Sequence, residues 1–363
     1  MDRSRSAVPS RLVNALLTLV ALGLLGLTVW MKWDSIRAVF RGDHPIDGRL
    51  LGLAFGIHVA ALVLTFVRWF VLVRALGLPF RVRDAVRLGF IGNVFNLVIP
   101  GAVGGDVIKA AFLCREQARK TQAVASMVID RLLGLLGLFL LAGISGAWAW
   151  PEAGPEVRRL IAVVWMAVAV GVVGLAVLFT PTLYLPLGRL VAGRRRLEAL
   201  LAELVAMASA YRRRLAVVLG ALAMAVGIHS LFVLSFDLVS RALFPRAPTL
   251  AQHFLLVPLT LFTTAVPLPF GALGLTEQVS DQLFKLVAHP NGAVAMMGYR
   301  AIMYAGGLLS IGVYLANLRQ VRALTQDGDA RADAEAPPRD GDGDALPPGV
   351  LRPQPLDRGD VRV

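Results

Sequence analysis

Residues 12–31 form an uncharged apolar run of twenty residues. Seven further apolar runs follow, at 50–73, 88–113, 122–150, 160–180, 215–240, 250–288 and 293–318. A hydrocarbon core about 30 Å thick is crossed by a helix of about 20 apolar residues. Lipid offers no partner to open backbone, so a chain of this kind folds as a helical bundle within a membrane. Composition agrees, with 56% of residues hydrophobic and 17% charged. The latter lies below the roughly 25% of soluble domains.

The formal net charge is +13, from 37 Lys and Arg against 24 Asp and Glu. Such a surplus marks nucleic-acid binding when it forms a solvated face. Here the cations sit between apolar runs, so no nucleic acid is expected as partner. The single cysteine, Cys114, allows no internal disulfide, and the five histidines lack metalloenzyme spacing. No metal or other cofactor is expected.

Loop charge orients the runs, because cytoplasmic loops are enriched in Lys and Arg. A cytoplasmic N-terminus, carrying Arg3, Arg5 and Arg11, places Arg74, Arg81, Arg83 and Arg87 inside as well. The next short loop, with Lys109, Arg115, Arg119 and Lys120, is equally basic. A full crossing between these loops would put the seven arginines of 181–214 outside. A re-entrant hairpin over 88–108 keeps them cytoplasmic. By the same logic 250–288 leaves and returns on the outer side, as two short helices or a second hairpin. The outer loop 32–49 departs from the rule with four basic residues. The expected organisation is an all-α polytopic transmembrane domain over 1–318 and a disordered cytoplasmic tail over 319–363. That tail is rich in Asp, Gly, Pro and Arg, with little to bury.

The two broken segments share a pattern. Residues 93–106 carry Asn96, Pro100, Gly101, Gly104, Gly105 and Asp106. Residues 267–277 carry Pro269, Gly271, Gly274 and Glu277. Each presents Pro, then Gly-Ala-apolar-Gly, then an acid, and each precedes an intramembrane arginine, Arg131 or Arg300, by similar distances. Corresponding breaks in two halves of a chain predict an inverted repeat and point to a transporter's site. Proline and glycine release backbone amides that attract an anion such as a lipid phosphate. The alternative is glycine serving close helix packing.

Charges inside apolar runs are costly and face a bundle interior. Asp130-Arg131 and Tyr299-Arg300 sit in this way. The two arginines are candidates to grip a phosphate bidentately, with Asp106 and Glu277 as counter-charges or proton carriers. Structural ion pairing is the other reading. Arg68, near a helix end, reads as snorkelling, His58 and His229 as packed or hydrogen-bonded, and Asp281 and Lys285 as a pair. The stretch 187–214 reads either as an amphipathic helix on anionic inner-leaflet lipids or as a solvated orienting loop.

The run from Gly92-Asn93 through Pro100-Gly101 and Gly104-Gly105-Asp106, the Asp130-Arg131 helix and residues 271–277 resemble the lysylphosphatidylglycerol synthase transmembrane-region family, also called flippase-like domain proteins. The resemblance covers about residues 10–320. It implies an integral inner-membrane protein that moves charged-headgroup or lipid-linked lipids or assists their synthesis. In two-domain members a cytosolic aminoacyl-transferase domain makes the lipid and the membrane domain flips it. The 45 residues after Leu318 are too few for that domain, so aminoacyl-lipid synthesis is not carried over. Asp130-Arg131 stands where the family commonly has Glu-Arg, and Lys109 where it has Arg after Gly-Gly-Asp. Lysine lacks the bidentate fork. The expectation is therefore a lipid flippase rather than an enzyme. Two alternatives remain: an intramembrane transferase, and an accessory subunit partnering a lipid-biosynthesis enzyme.

Overall fold

The computed structural model describes residues 10–41, 45–98, 105, 109–110, 113, 120–180, 193–194, 197–198, 202, 205, 208–266 and 268–317. Among these, every regular element is helical. We label them α1 (Ser10–Met31), α2 (Trp33–Arg41), α3 (Gly48–Ala75), α4 (Val82–Val98), α5 (Lys120–Ala149), α6 (Pro155–Phe179), α7 (Leu215–Leu243), α8 (Leu250–Phe262), α9 (Leu275–Lys285) and α10 (Gly292–Ala316). The tail beyond Asn317, the motif residues Pro100, Gly101, Gly104 and Asp106, and most of the basic stretch 187–214 lie outside the described residues.

Polar residues at the run boundaries start the helices. The Asp47 carboxylate accepts from the amides of Arg49 at 2.8 Å and Leu50 at 3.2 Å, capping α3. Thr249 and Gln252 form a reciprocal capping box at α8. Glycine and Pro155 open α6, five residues before the apolar run begins.

Five helices are long and apolar enough to cross a membrane: Gly48–Ala75, Gln122–Ala149, Pro155–Phe179, Ala208–Leu243 and Gly292–Ala316. The first apolar run does not stand alone as a straight span. It bends by 63° at Lys32 into α2, and the bent pair would make a sixth. The bend has a partner: Lys32 Nζ binds Asp281 at 2.7 Å and donates to the Pro290 carbonyl at 2.9 Å. One of the four outer-loop cations is thus an internal contact rather than a topology signal. Of the two remaining runs, 88–113 is described as α4 up to Val98 and at a few residues beyond. Residue 250–288 divides into α8, a 3-10 turn at Thr263–Ala265, a non-helical turn at Pro269–Ala272, and α9.

The centre of the bundle is α3 against α7, the most extensive helix pair. Small residues let the two approach, with Ala54, Ala61, Ala221 and Ala225 all fully buried. Ser235 Oγ donates to the Ala54 carbonyl at 2.8 Å. Helix α5 packs on α7 at Gly137, where a Cβ would lie 2.6 Å from Ala225 Cβ. The outer layer is crosswise: α4 rests on α10, and α8 rests on α5.

Candidate functional site

Helix α3 carries Thr65, Phe66, Arg68 and Trp69 on its last turns, and α5 brings Ser126, Asp130 and Arg131 alongside. Arg68 does not snorkel. It is 4% exposed, its Nε donates to Asp130 Oδ1 at 2.8 Å, and its Nη2 donates to the Asp130 carbonyl at 3.3 Å. The reason is azimuth: this face of α3 is turned onto α5, where Trp69 Nε1 also donates to Ser126 Oγ at 3.3 Å. Gly134 leaves room for the guanidinium, since a Cβ there would stand 3.2 Å from Arg68 Nη2.

Gly105, the described residue of Gly104-Gly105-Asp106, lies against α4. Its amide donates to Asn96 Oδ1 at 2.8 Å, and a Cβ on Gly105 would stand 2.1 Å from the Gly92 carbonyl oxygen. Lys109 lies beside Gly92, where a Cβ would meet its Cε at 2.8 Å. Lys109 Nζ lies 5.7 Å from the centre of the Phe66 ring and 5.5 Å from that of Trp69. Both are within cation–π range.

These elements enclose a cavity of about 320 Å³. Arg68, Lys109, Arg131 and Asp130 line one part of it, and Asn93 and Asn96 join them from α4. The other part is aromatic and weakly polar, with His58, Phe66, His229, Phe232, Phe262, Tyr299 and Thr264. His58 Nδ1 and Tyr299 Oη are 3.1 Å apart. His58 lies about 15 Å along α3, at 1.5 Å per residue. Arg68 lies about 10 Å before the helix end.

The second acid–arginine unit is built differently. Arg300 Nε donates to Glu277 Oε1, and its Nη1 donates to the carbonyls of Phe270 at 2.8 Å and Gly271 at 3.3 Å. Glu277 also reaches back to the Gly274 amide at 2.7 Å, starting α9. Glu277 is fully buried and Arg300 is 4% exposed. The arginine clamps a turn whose residues Phe270, Gly271, Ala272 and Gly274 all have positive φ, from 54° to 82°. Only glycine fits at 274: φ is +82°, and a Cβ would lie 2.5 Å from Leu24 Cβ and from the Leu25 nitrogen on α1.

Of the expected site residues, the cavity gathers Asn96, Lys109, Asp130, Arg131 and Tyr299. Gly105 supports it through Asn96. Gly271, Gly274, Glu277 and Arg300 form the separate clamp and do not line the cavity, because Arg300 directs Nη1 at the turn and Nε at Glu277. Asp281 and Lys285 pair as expected, at 2.8 Å. His58 and His229 are hydrogen-bonded, as expected, yet both also face the cavity. Sequence reasoning missed Arg68 and these two rings as cavity residues. The signal was present, for each is a polar group inside an apolar run.

A family model described as the lysylphosphatidylglycerol synthase TM region matches residues 12–310, which include the cavity and the clamp. No curated protein and no solved structure gives a match. With five helices able to span and a family match over most of its length, the chain is a multi-pass membrane protein that belongs to the lysylphosphatidylglycerol synthase TM region family.

Proposed function

We propose that the protein is a flippase-like transporter, moving a phosphate-bearing or charged-headgroup lipid, or a lipid-linked intermediate, between leaflets of the inner (plasma) membrane. It acts without covalent chemistry of its own, and both termini are cytoplasmic. The observation that carries this reading is the cavity. Arg68, Lys109 and Arg131 line it together with Asp130, inside apolar runs where charged side chains mark substrate and ion pathways. An arginine and a lysine offer a lipid phosphate charge-assisted hydrogen bonds. Its cations lie in the cytoplasmic half, so the headgroup enters from the inner leaflet, whose anionic lipids are the immediate partner pool.

Two features support a transporter architecture. The contact of Gly105 with Asn96 and the turn after α8 fit re-entrant hairpins. Gly274 abuts Leu24, about 21 Å along α1, which fits a break within the membrane. The pairing of helices fits an inverted repeat: α3 corresponds to α7, α4 to α8 and α9, and α5 to α10. Under that correspondence the crosswise packing of α4 on α10 and of α8 on α5 is one contact made twice.

The test is reconstitution into phosphatidylcholine vesicles containing labelled anionic phospholipids or glycolipids, followed by quenching of the outer leaflet. Accelerated exchange of at least one labelled headgroup is expected. Unchanged exchange across the whole panel, with folded protein, would overturn the reading.

A further inference from the structure

Helix α2 is bent 63° from α1 at the end of the first apolar run. With α1 upright in a membrane, α2 lies nearer the bilayer plane than its normal. None of its nine residues is fully buried. At about 100° per residue they sort into three edges. Ile36 and Val39 fall on one and pack partly on the bundle core. Trp33 and Phe40 fall on the next, and they are 50% and 75% exposed. Asp34, Arg37, Ala38 and Arg41 form the third, and all four are exposed. A helix with an apolar edge beside a charged one is suited to lie between hydrocarbon and water.

A second region at the same end of the bundle repeats this chemistry. The core cluster that receives Ile36 and Val39 also receives Leu51 from the start of α3, and Ala153 and Val157 from the α5–α6 junction. Trp148 and Trp150 are exposed beside that junction. Arg158 Cζ lies 5.7 Å from the centre of the Trp150 ring, as Arg37 Cζ lies 5.3 Å from that of Trp33. With Trp30, exposed at the end of α1, four of the six tryptophans gather here. Tryptophan collects at the level of lipid headgroups, where one end of the indole is apolar and the other wet. An arginine over such a ring is placed to meet phosphate oxygens.

We propose that α2 is an interfacial helix, bound to the phospholipid surface of the leaflet at the end of α1 remote from the N-terminus. Trp33 and Phe40 enter the acyl boundary, and Arg37 and Arg41 bind lipid phosphates. Two of the four cations by which 32–49 departs from the loop-charge rule are then lipid ligands. This role is independent of what the cavity moves.

Position-specific quenching tests it. The single cysteine is removed by Cys114→Ser, and a bimane label is attached at Phe40→Cys or at Ala38→Cys. Both positions are exposed, so neither label displaces a core contact. The full chain is placed in phosphatidylcholine–phosphatidylglycerol nanodiscs, which leave both faces open to solvent. Brominated acyl chains should quench the label at 40 and spare the one at 38, and aqueous iodide should do the reverse. Iodide quenching of both labels would place α2 in water, and bromine quenching of both would immerse it. Either result overturns the proposal. A label at 40 shielded from both quenchers would also overturn it, by showing that a second copy or another protein covers that edge. Combining Arg37→Glu and Arg41→Glu tests the phosphate contacts. Bromine quenching at 40 should then fall, and iodide quenching rise, as α2 lifts from the surface. Unchanged quenching in that folded variant would strike the two arginines from the proposal.

Discussion

Two acid–arginine units lie in the apolar runs, yet one opens on the cavity and the other locks a turn. In the first, Asp130 takes its arginine from another helix, Arg68 of α3, and Arg131 lines the cavity beside it. In the second, Glu277 takes Arg300 itself, and the same guanidinium holds the carbonyls of Phe270 and Gly271. An acid–arginine pair thus lines a cavity in one place and sets backbone geometry in the other. The difference lies in the partner, an arginine on a neighbouring helix in the first and one that also holds the turn's carbonyls in the second.

Breaking the second unit should have the largest effect on folding. Arg300→Ala leaves Glu277 fully buried without its charge partner and frees two carbonyls of a left-handed turn. Removing one member of a buried pair costs about 3–5 kcal/mol. A clear drop in thermal unfolding temperature in detergent is expected, with loss of exchange following from it. Unchanged stability with lost exchange would instead move Arg300 into the substrate site. Gly274→Ala tests the same turn with a smaller expected loss. A side chain at positive φ costs roughly 1–2 kcal/mol, and the overlap with the Leu25 nitrogen adds to it. Wild-type stability in Gly274→Ala would show that α1 does not hold the position described.

The first unit should behave in the opposite way. Arg131→Ala is expected to reduce exchange of an anionic lipid about tenfold, equivalent to about 1.4 kcal/mol. Its unfolding temperature should shift far less than that of Arg300→Ala. A larger stability loss in Arg131→Ala than in Arg300→Ala would invert the comparison.

Much of this was legible in the chain, for identifiable reasons. Apolar runs of about 20 residues set the helices, and Pro-Gly-acid spacing marked the break after α8. The positions of Asp130-Arg131 and Tyr299-Arg300 inside those runs marked both units. Their division of labour was not legible, because it depends on Arg68, 62 residues from Asp130 in sequence. Distance from a helix end made Arg68 look like a snorkelling cation, and only the rotation of α3 about its axis shows that it points inward. Helix α2 escaped notice as well, although Trp33, Ile36 and Phe40 have helical spacing. The run before it looked complete at Met31. The histidines were set aside as packed groups, which their hydrogen bonds bear out.

The smallest expected effect sharpens the comparison most, because it asks whether the first unit acts through charge alone. Lys109 Nζ lies near the Phe66 and Trp69 rings, an attraction of about 0.5–1 kcal/mol when exposed. Lys109→Met keeps the stem that fills the space left by Gly92 and removes the charge. Exchange of an anionic lipid should fall a few-fold, and stability should change by less than about 0.5 kcal/mol, as for substitutions that spare packing. Lys109→Arg should preserve exchange or raise it, since guanidinium adds a planar fork suited to phosphate. Exchange unaffected by Lys109→Met would leave Arg131 as the cavity's phosphate ligand and reduce Lys109 to packing against α3. A fall in Lys109→Arg as deep as in Lys109→Met would show that the space beside Gly92, not the charge, is what the first unit requires.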